Sequence, residues 1–193
     1  MQDTSTSRPL LVLDLDETRW HGIPDPEAAG GHQFLLRPHL QFFLGSVAGP
    51  YALAVWTAAT EDWMSQGLRV IALETGFDLA EQAFFLWHRE RCTWRRTDEG
   101  NYELRKPARK FRAKWIRARY PGHRVLAVDD QPSNYLCGYG HLVRVHGWTG
   151  DPEDQELRAL ADYLMSIAHQ PDLRRLEKRH WRSGRPPGPL DHA

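Results

Sequence analysis

Asp14 and Asp16 stand two residues apart, directly after the apolar run Leu10-Leu11-Val12-Leu13. In an extended backbone, residues i and i+2 point to the same side. Both carboxylates are therefore expected to face one point, with Leu15 turned away. Two convergent carboxylates suit a divalent metal, an acid/base pair, or a nucleophile beside an acid. Three further sites could join them: Thr57 after the apolar run 51–56, a lysine near 106 in a basic stretch, and Asp129-Asp130 after the apolar run 125–128. This set is what phosphoryl transfer through an aspartyl phosphate needs. A carboxylate attacks phosphorus and forms a covalent intermediate. Mg²⁺ is held by two or three carboxylate groups and keeps some waters. A hydroxyl and an ammonium bind the phosphoryl oxygens, where transition-state charge sits. A second acid protonates the leaving oxygen and then activates water. Each residue also has a plainer reading: Asp favours turns, Thr57 is a β-branched strand end, and Lys106 lies among solvated cations.

The elements that must position these groups alternate between strand and helix. The run 10–13 reads as a strand buried on both faces, as in a parallel sheet. Open α/β sheets bind ligands just beyond the carboxyl ends of such strands. Residues 22–31 are rich in Gly, Pro and Ala and predict a loop, with 34–36 a short returning strand. Pro38 opens a helix carrying Leu40, Phe43 and Leu44. Residues 51–56 predict the second sheet strand. Thr60, with Glu61 and Asp62 in the next turn, caps a helix reaching about Glu74. Residues 83–87 are a third strand candidate, and 92–96 with 101–105 flank a hairpin-like turn. A helix is expected over 107–120, with Ala108, Phe111, Trp115 and Ala118 on its apolar face. Strands at 125–128 and 142–145 and a helix from about Asp151 complete the pattern. Alternating strands and helices predict a doubly wound α/β fold with a mainly parallel sheet.

The motifs resemble a known family. Asp14-Leu15-Asp16-Glu17-Thr18 looks like motif I of the haloacid dehalogenase (HAD) superfamily of phosphatases, in the branch that includes the RNA polymerase II C-terminal-domain phosphatases. Trp56-Thr57-Ala58-Ala59 is similar to motif II of that branch, Lys106 to the motif III lysine, and Val128-Asp129-Asp130-Gln131-Pro132-Ser133-Asn134-Tyr135 to motif IV. Arg37-Pro38 and residues 86–92 resemble bacterial members. The resemblance covers about residues 10–164. It implies a Rossmann-like fold and a Mg²⁺-dependent phosphatase. Asp14 would be nucleophile and metal ligand. Asp16 would be general acid/base and would lend its backbone carbonyl to the metal. Thr57 and Lys106 would hold the phosphoryl group. Asp130 would ligate Mg²⁺, with Asp129 beside it as ligand or supporting partner. Pro107 departs from the acidic residue usual after the lysine, which leaves Lys110 a rival to Lys106. Arg19 departs from the usual apolar residue and is expected near the entrance, where it would contact substrate.

Composition narrows the setting. The 193 residues suit one domain, and 25 basic residues balance 25 acidic ones. No global field selects nucleic acid or membrane. The basic residues concentrate at 89–119, which would steer an acidic, phosphorylated substrate. Trp94, Tyr102 and Trp115 lie among them and permit base stacking, although Trp115 is expected in the core. Residues 1–9 are polar, predicting a disordered N-terminus with no secretory signal, and no run is long enough to span a bilayer. Cys92 and Cys137 lack metal-ligand spacing and fit a reduced, cytoplasmic protein. The domain is expected over 10–170, with a charged and then Gly/Pro-rich tail, partly disordered, at 171–193. About fifty residues separate Thr57 from Lys106, leaving room for a small β-hairpin insertion but no large cap domain. An open site suits a macromolecule. The first expectation is a phosphoserine or phosphothreonine protein; the alternatives are a polynucleotide or nucleotide phosphatase, or a catalytically silent phosphate-binding module. A response-regulator receiver would place its acidic pair before the phosphorylated Asp, and here the pair comes last. No oligomeric state follows.

Overall fold

The computed structural model describes residues 8–27 and 31–183 of the chain. The disorder expected before residue 8 and beyond residue 183 lies outside the described residues. Strand β1 (Leu10–Leu13) leads into a hairpin of β2 (Trp20–Pro24) and β3 (His32–Leu36). Helix α1 (Leu40–Val47) is followed by β4 (Ala52–Trp56), α2 (Glu61–Thr75), α3 (Leu79–Gln82) and β5 (Leu86–Trp87). A second hairpin, β6 (Thr93–Arg96) and β7 (Tyr102–Arg105), precedes α4 (Lys114–Arg117), β8 (Val125–Asp129), β9 (Leu142–Arg144) and α5 (Glu156–Ile167).

Five strands form one sheet in the order β5-β4-β1-β8-β9, and every pairing is parallel. This is the α/β architecture expected from the alternating pattern. The chain winds outward from β1 through β4 to β5, then crosses back to β8 and β9. The order reverses between β1 and β8, so their carboxyl ends flank the crevice where such sheets bind ligands.

The parity of β1 explains its unbroken apolar run. Leu11 and Leu13 join one buried cluster with α1, α2 and α5, whereas Leu10 and Val12 join another on the opposite face. Helix α2 begins as its sequence predicts: the Thr60 hydroxyl accepts from the Trp63 N–H, and Gly76 ends the helix at φ 71°, a conformation glycine adopts without strain.

The second face departs from expectation. In place of one helix over 107–120, a 3₁₀ turn spans Ala108–Arg112 and α4 is a single turn. Ala113 between them is extended, at φ −52° and ψ 136°. Cations at 109, 110, 112, 114 and 117 recur at spacings of three and four, where like charges oppose a helix. The break shifts the buried register, so Ile116 is fully buried and Trp115 is 47% exposed rather than in the core. The third strand is also shorter than expected, Leu86–Trp87, although Phe84 and Phe85 still share backbone hydrogen bonds with β4.

Two hairpins are inserted, not one. The expected one is β6–β7. The other pairs Trp20 to Pro24 with residues 32–36, where a loop from Gly22 was expected; Gly and Pro obscured a strand that the β3 partner supplies. No large cap domain occurs among the described residues. The core also continues beyond residue 170: Leu173, Leu176 and Trp181 join the α1/α2/α5 cluster, and the Trp181 indole donates to the Arg144 carbonyl at 2.8 Å. Interleaved charges masked these three apolar side chains. No helix of the described residues is long and apolar enough to cross a membrane.

Candidate active site

Asp14 directly follows β1, and its N–H donates to the Val128 carbonyl at 3.0 Å, extending the β1–β8 pairing by one bond. Asp129 ends β8, and Asp130 follows it. All three carboxylates are buried, and an oxygen from each lies within 4.8 Å of the others. Lys106, 1% exposed, arrives just after β7. Its Nζ lies 2.5 Å from Asp14 Oδ1 and 2.7 Å from Asp129 Oδ2. Asp129 is held by two further donors: Oδ1 accepts from the Gln131 N–H at 2.8 Å and from the Asn134 amide at 2.9 Å. Asp130 is less tied. Its Oδ2 accepts from the Gln131 amide at 2.9 Å, and the Thr18 hydroxyl lies 3.4 Å from its Oδ1.

Charge in this cluster is unbalanced. Burial drives the Asp14 carboxyl well above the ordinary carboxylate range; Lys106 opposes that shift, and Asp129 adds to it. Burial alone would lower Lys106, but Asp129 and Asp14 outweigh it and hold the ammonium above its ordinary value. Asp14 and Asp130, with Asp129 beside them, offer carboxylate oxygens close enough to share one hard divalent cation, which takes oxygen ligands. The residues present therefore fit Mg²⁺.

Asp16 stands apart from this cluster. The strand stops at Leu13, and Glu17 in the following turn takes a left-handed φ of 54°. The i, i+2 rule for extended chain thus lapses, and Asp16 shares no hydrogen-bond partner with Asp14. The Thr57 hydroxyl donates to Asp16 Oδ2 at 2.8 Å. The indole N–H groups of Trp20 and Trp63 donate to Oδ1 at 3.0 and 2.6 Å. Thr57 is itself fixed at the end of β4, its N–H donating to the Trp87 carbonyl and its hydroxyl accepting from the Ala59 N–H. An open cleft of about 530 Å³ on this side is lined by Asp16, His21, Ala58, Thr60, Trp63 and Arg89, among others.

Asp14, Asp16, Thr57, Lys106, Asp129 and Asp130 therefore meet at the carboxyl ends of β1, β4 and β8. Lys110 does not join them; its ammonium reaches the Arg91 carbonyl. Arg19 is not at the entrance as expected. It is fully buried over the Phe43 ring, 4.5 Å from the centroid. Burial first, and then Arg37, lower its pKa to about 9. The turn after Asp16 folds it inward: its N–H and that of Trp20 both return to the Leu15 carbonyl. Sequence reading also missed Trp20, Trp63, Thr18 and Asn134. Asn134 had a signal in its place five residues after Asp129, but Trp63 lies 47 residues from Asp16 and had none. The loop after β9 braces the site as well: Trp148 donates to the Glu17 carbonyl, and Arg37 links the His146 carbonyl to Asp154.

A family model described as NLI interacting factor-like phosphatase matches residues 9–174. Among curated relatives, the ubiquitin-like domain-containing CTD phosphatase 1 of Drosophila melanogaster is 28% identical over 178 residues, covering 89% of this chain and 53% of the relative. The CTD nuclear envelope phosphatase 1 homolog of the same species is 27% identical over 196 residues, covering 90% and 73%. The solved structure of Fcp1, titled an essential RNA polymerase II CTD phosphatase, superposes with a TM-score of 0.50 at 19% identity, covering 84% of this chain and 51% of that one. That likeness shows the fold. The chain spans about half the length of the first of these relatives.

Proposed function

The chain belongs to the NLI interacting factor-like phosphatase family, and from that premise we propose that it is a Mg²⁺-dependent phosphatase acting through an aspartyl phosphate on Asp14. The observation that carries this reading is the ammonium of Lys106, 2.5 Å from Asp14 and 2.7 Å from Asp129, at the switch point of the sheet. Asp14 attacks phosphorus, and the bond to the leaving oxygen breaks. Lys106, held by Asp129, neutralises charge on the phosphoryl oxygens, and Thr57 is the second grip. Asp16 gives its proton to the leaving oxygen. It then takes a proton from the water that attacks phosphorus, which frees Asp14 and releases phosphate. The Thr57 hydroxyl can serve both forms of Asp16, donating to the carboxylate and accepting from the acid. Asp14, Asp130 and the Asp16 backbone carbonyl would hold Mg²⁺. When bound, the ion would neutralise and orient the phosphoryl group. Asp129, its oxygens already engaged by Lys106, Gln131 and Asn134, is assigned to the lysine rather than to the metal.

A phosphoserine or phosphothreonine protein is the proposed substrate. The names of the relatives point to phosphoprotein substrates, and the cleft beside Asp16 is open. A second reading, a polynucleotide phosphatase, is favoured by Trp94 and Tyr102, which are 63% and 67% exposed on the β6–β7 hairpin beside Arg95 and Arg96. A reducing cytoplasmic setting is proposed from the two free thiols, Cys92 and Cys137.

The test is phosphate release from p-nitrophenyl phosphate with and without Mg²⁺, for wild type and Asp14→Asn. Metal-dependent turnover lost in the variant supports the reading, and phosphopeptides are then compared with phosphorylated oligonucleotides. Folded protein inactive on p-nitrophenyl phosphate but active on one of these substrates is a selective phosphatase; folded protein inactive on all of them refutes the reading in favour of a silent phosphate-binding module.

A further inference from the structure

Three donors close on the two oxygens of Asp16, and two of them are indoles. Trp20 comes from β2 and Trp63 from the first turn of α2, and both N–H groups reach the same atom, Oδ1. A carboxylate oxygen has two lone pairs, and here both are taken. An indole N–H donates only, so neither partner can accept a proton from Oδ1. Oδ2 differs, because its partner is the Thr57 hydroxyl, which reverses its sense.

The rings are fixed as firmly as the N–H groups. The Phe34 ring of β3 lies against both indoles, with centroids 5.4 Å from Trp20 and 4.6 Å from Trp63. His32 meets Trp63 edge-on at 4.9 Å. Two glycines make the room. A Cβ on Gly22 would lie 2.4 Å from the Trp63 ring, and one on Gly67 would lie 2.3 Å from the Trp20 ring. Gly67 sits inside α2, where glycine costs about 1 kcal/mol relative to alanine. The close approach of the Trp20 ring is the local reason to accept that cost.

We propose that Trp20 and Trp63, seated by Gly67 and Gly22, are positioning residues that hold Asp16 in one orientation and confine its transferable proton to Oδ2. The proposal rests on the acid/base role of Asp16 argued above. Neither indole is asked to touch the phosphoryl group. Their effect is to keep the proton on the oxygen that Thr57 can serve in both protonation states.

The experiment compares two leaving groups. Phenyl phosphate needs its leaving oxygen protonated, whereas p-nitrophenyl phosphate expels a stable anion and needs little help. The ratio kcat/KM covers steps only through transfer to Asp14, so later hydrolysis does not enter. Trp63→Phe keeps an aromatic ring and removes the N–H; Gly22→Ala keeps the N–H and displaces the indole. For each, kcat/KM on phenyl phosphate is expected to fall roughly tenfold and on p-nitrophenyl phosphate by less than about twofold. Thermal melting of both variants confirms the fold. Equal losses on the two substrates, or no loss on either, overturn the proposal while leaving the phosphatase reading in place. A wild type inactive on both, and on phosphopeptides and phosphorylated oligonucleotides, overturns the phosphatase reading and this proposal with it.

Discussion

Asp14 and Asp16 are the same residue type two positions apart, and the fold gives them opposite surroundings. Asp14 lies among charges: a buried lysine, Asp129 and Asp130. Asp16 lies among neutral donors, two indoles and a hydroxyl, at the edge of an open cleft. The difference teaches how one short turn can give two carboxylates separate surroundings, to which the proposed mechanism assigns separate roles. A nucleophile must stay ionised and close to positive charge. A proton carrier must meet partners that tolerate both of its forms, at a place the leaving group can reach. In the proposed mechanism, separating the environments of the paired carboxylates lets one site carry out both tasks.

The sharpest way to break that comparison is to neutralise each carboxylate in turn. Asp14→Asn should lose activity by about 10⁴-fold or more with every leaving group, because the covalent step is gone. Asp16→Asn should still transfer phosphate from p-nitrophenyl phosphate to Asp14 and then stall. Stopped-flow traces would show a burst of p-nitrophenolate equal to the enzyme present, and none for Asp14→Asn. A burst from both variants, or from neither, would show that the two roles are not divided as proposed.

Lys106→Met tests the charged half alone. It leaves three buried carboxylates without their ammonium, and losing one partner of a buried pair costs on the order of 3–5 kcal/mol. Turnover should fall by about 10³-fold, and the melting temperature at pH 7.5 should fall as well. The tryptophan contacts on Asp16 should survive, so a crystal structure of the variant would keep that half unchanged.

The smallest effect is one of pH and metal. The Asp14 carboxyl titrates above its ordinary 3.8 in the fold. Between the unfolded and folded values the native state binds more protons, so its stability falls as pH rises through that window. Above the window the ionised cluster is left short of positive charge, which Mg²⁺ relieves. At about 100 times its Kd the ion contributes about 2.7 kcal/mol. Melting curves should show a larger rise with Mg²⁺ at pH 7.5 than at pH 5, where protons compete for the same oxygens. An equal rise at both would place the metal elsewhere.

Most of the charged half was legible in the sequence. Asp14, Lys106 and the Asp129-Asp130 pair each follow a recognisable apolar strand or lie in a recognisable motif, and parallel strands deliver their ends to one edge; on the neutral side, Thr57 follows such a strand as well. The choice between Lys106 and Lys110 was not legible, since both lie in one basic run. It was decided by where β7 ends: Lys106 is buried against Asp14 and Asp129, and Lys110 faces outward to Arg91. Arg19 was misplaced because a single left-handed residue, Glu17, turns the chain away from the direction that β1 predicts. Trp115 was misplaced because Ala113 breaks the helix and shifts which side chains face the sheet.

By itself the sequence determined the α/β alternation, the capped start of α2 and the identities of the groups that could move a phosphoryl group. These are local matters of hydrophobic period, capping and residue chemistry. Only the tertiary structure decided which partners each carboxylate meets. The indoles that hold Asp16 come from a strand obscured by Gly and Pro and from a helix 47 residues away, and their fit depends on two glycines where any Cβ would collide. Such contacts depend on how separate elements pack against one another, which no local pattern in the chain records.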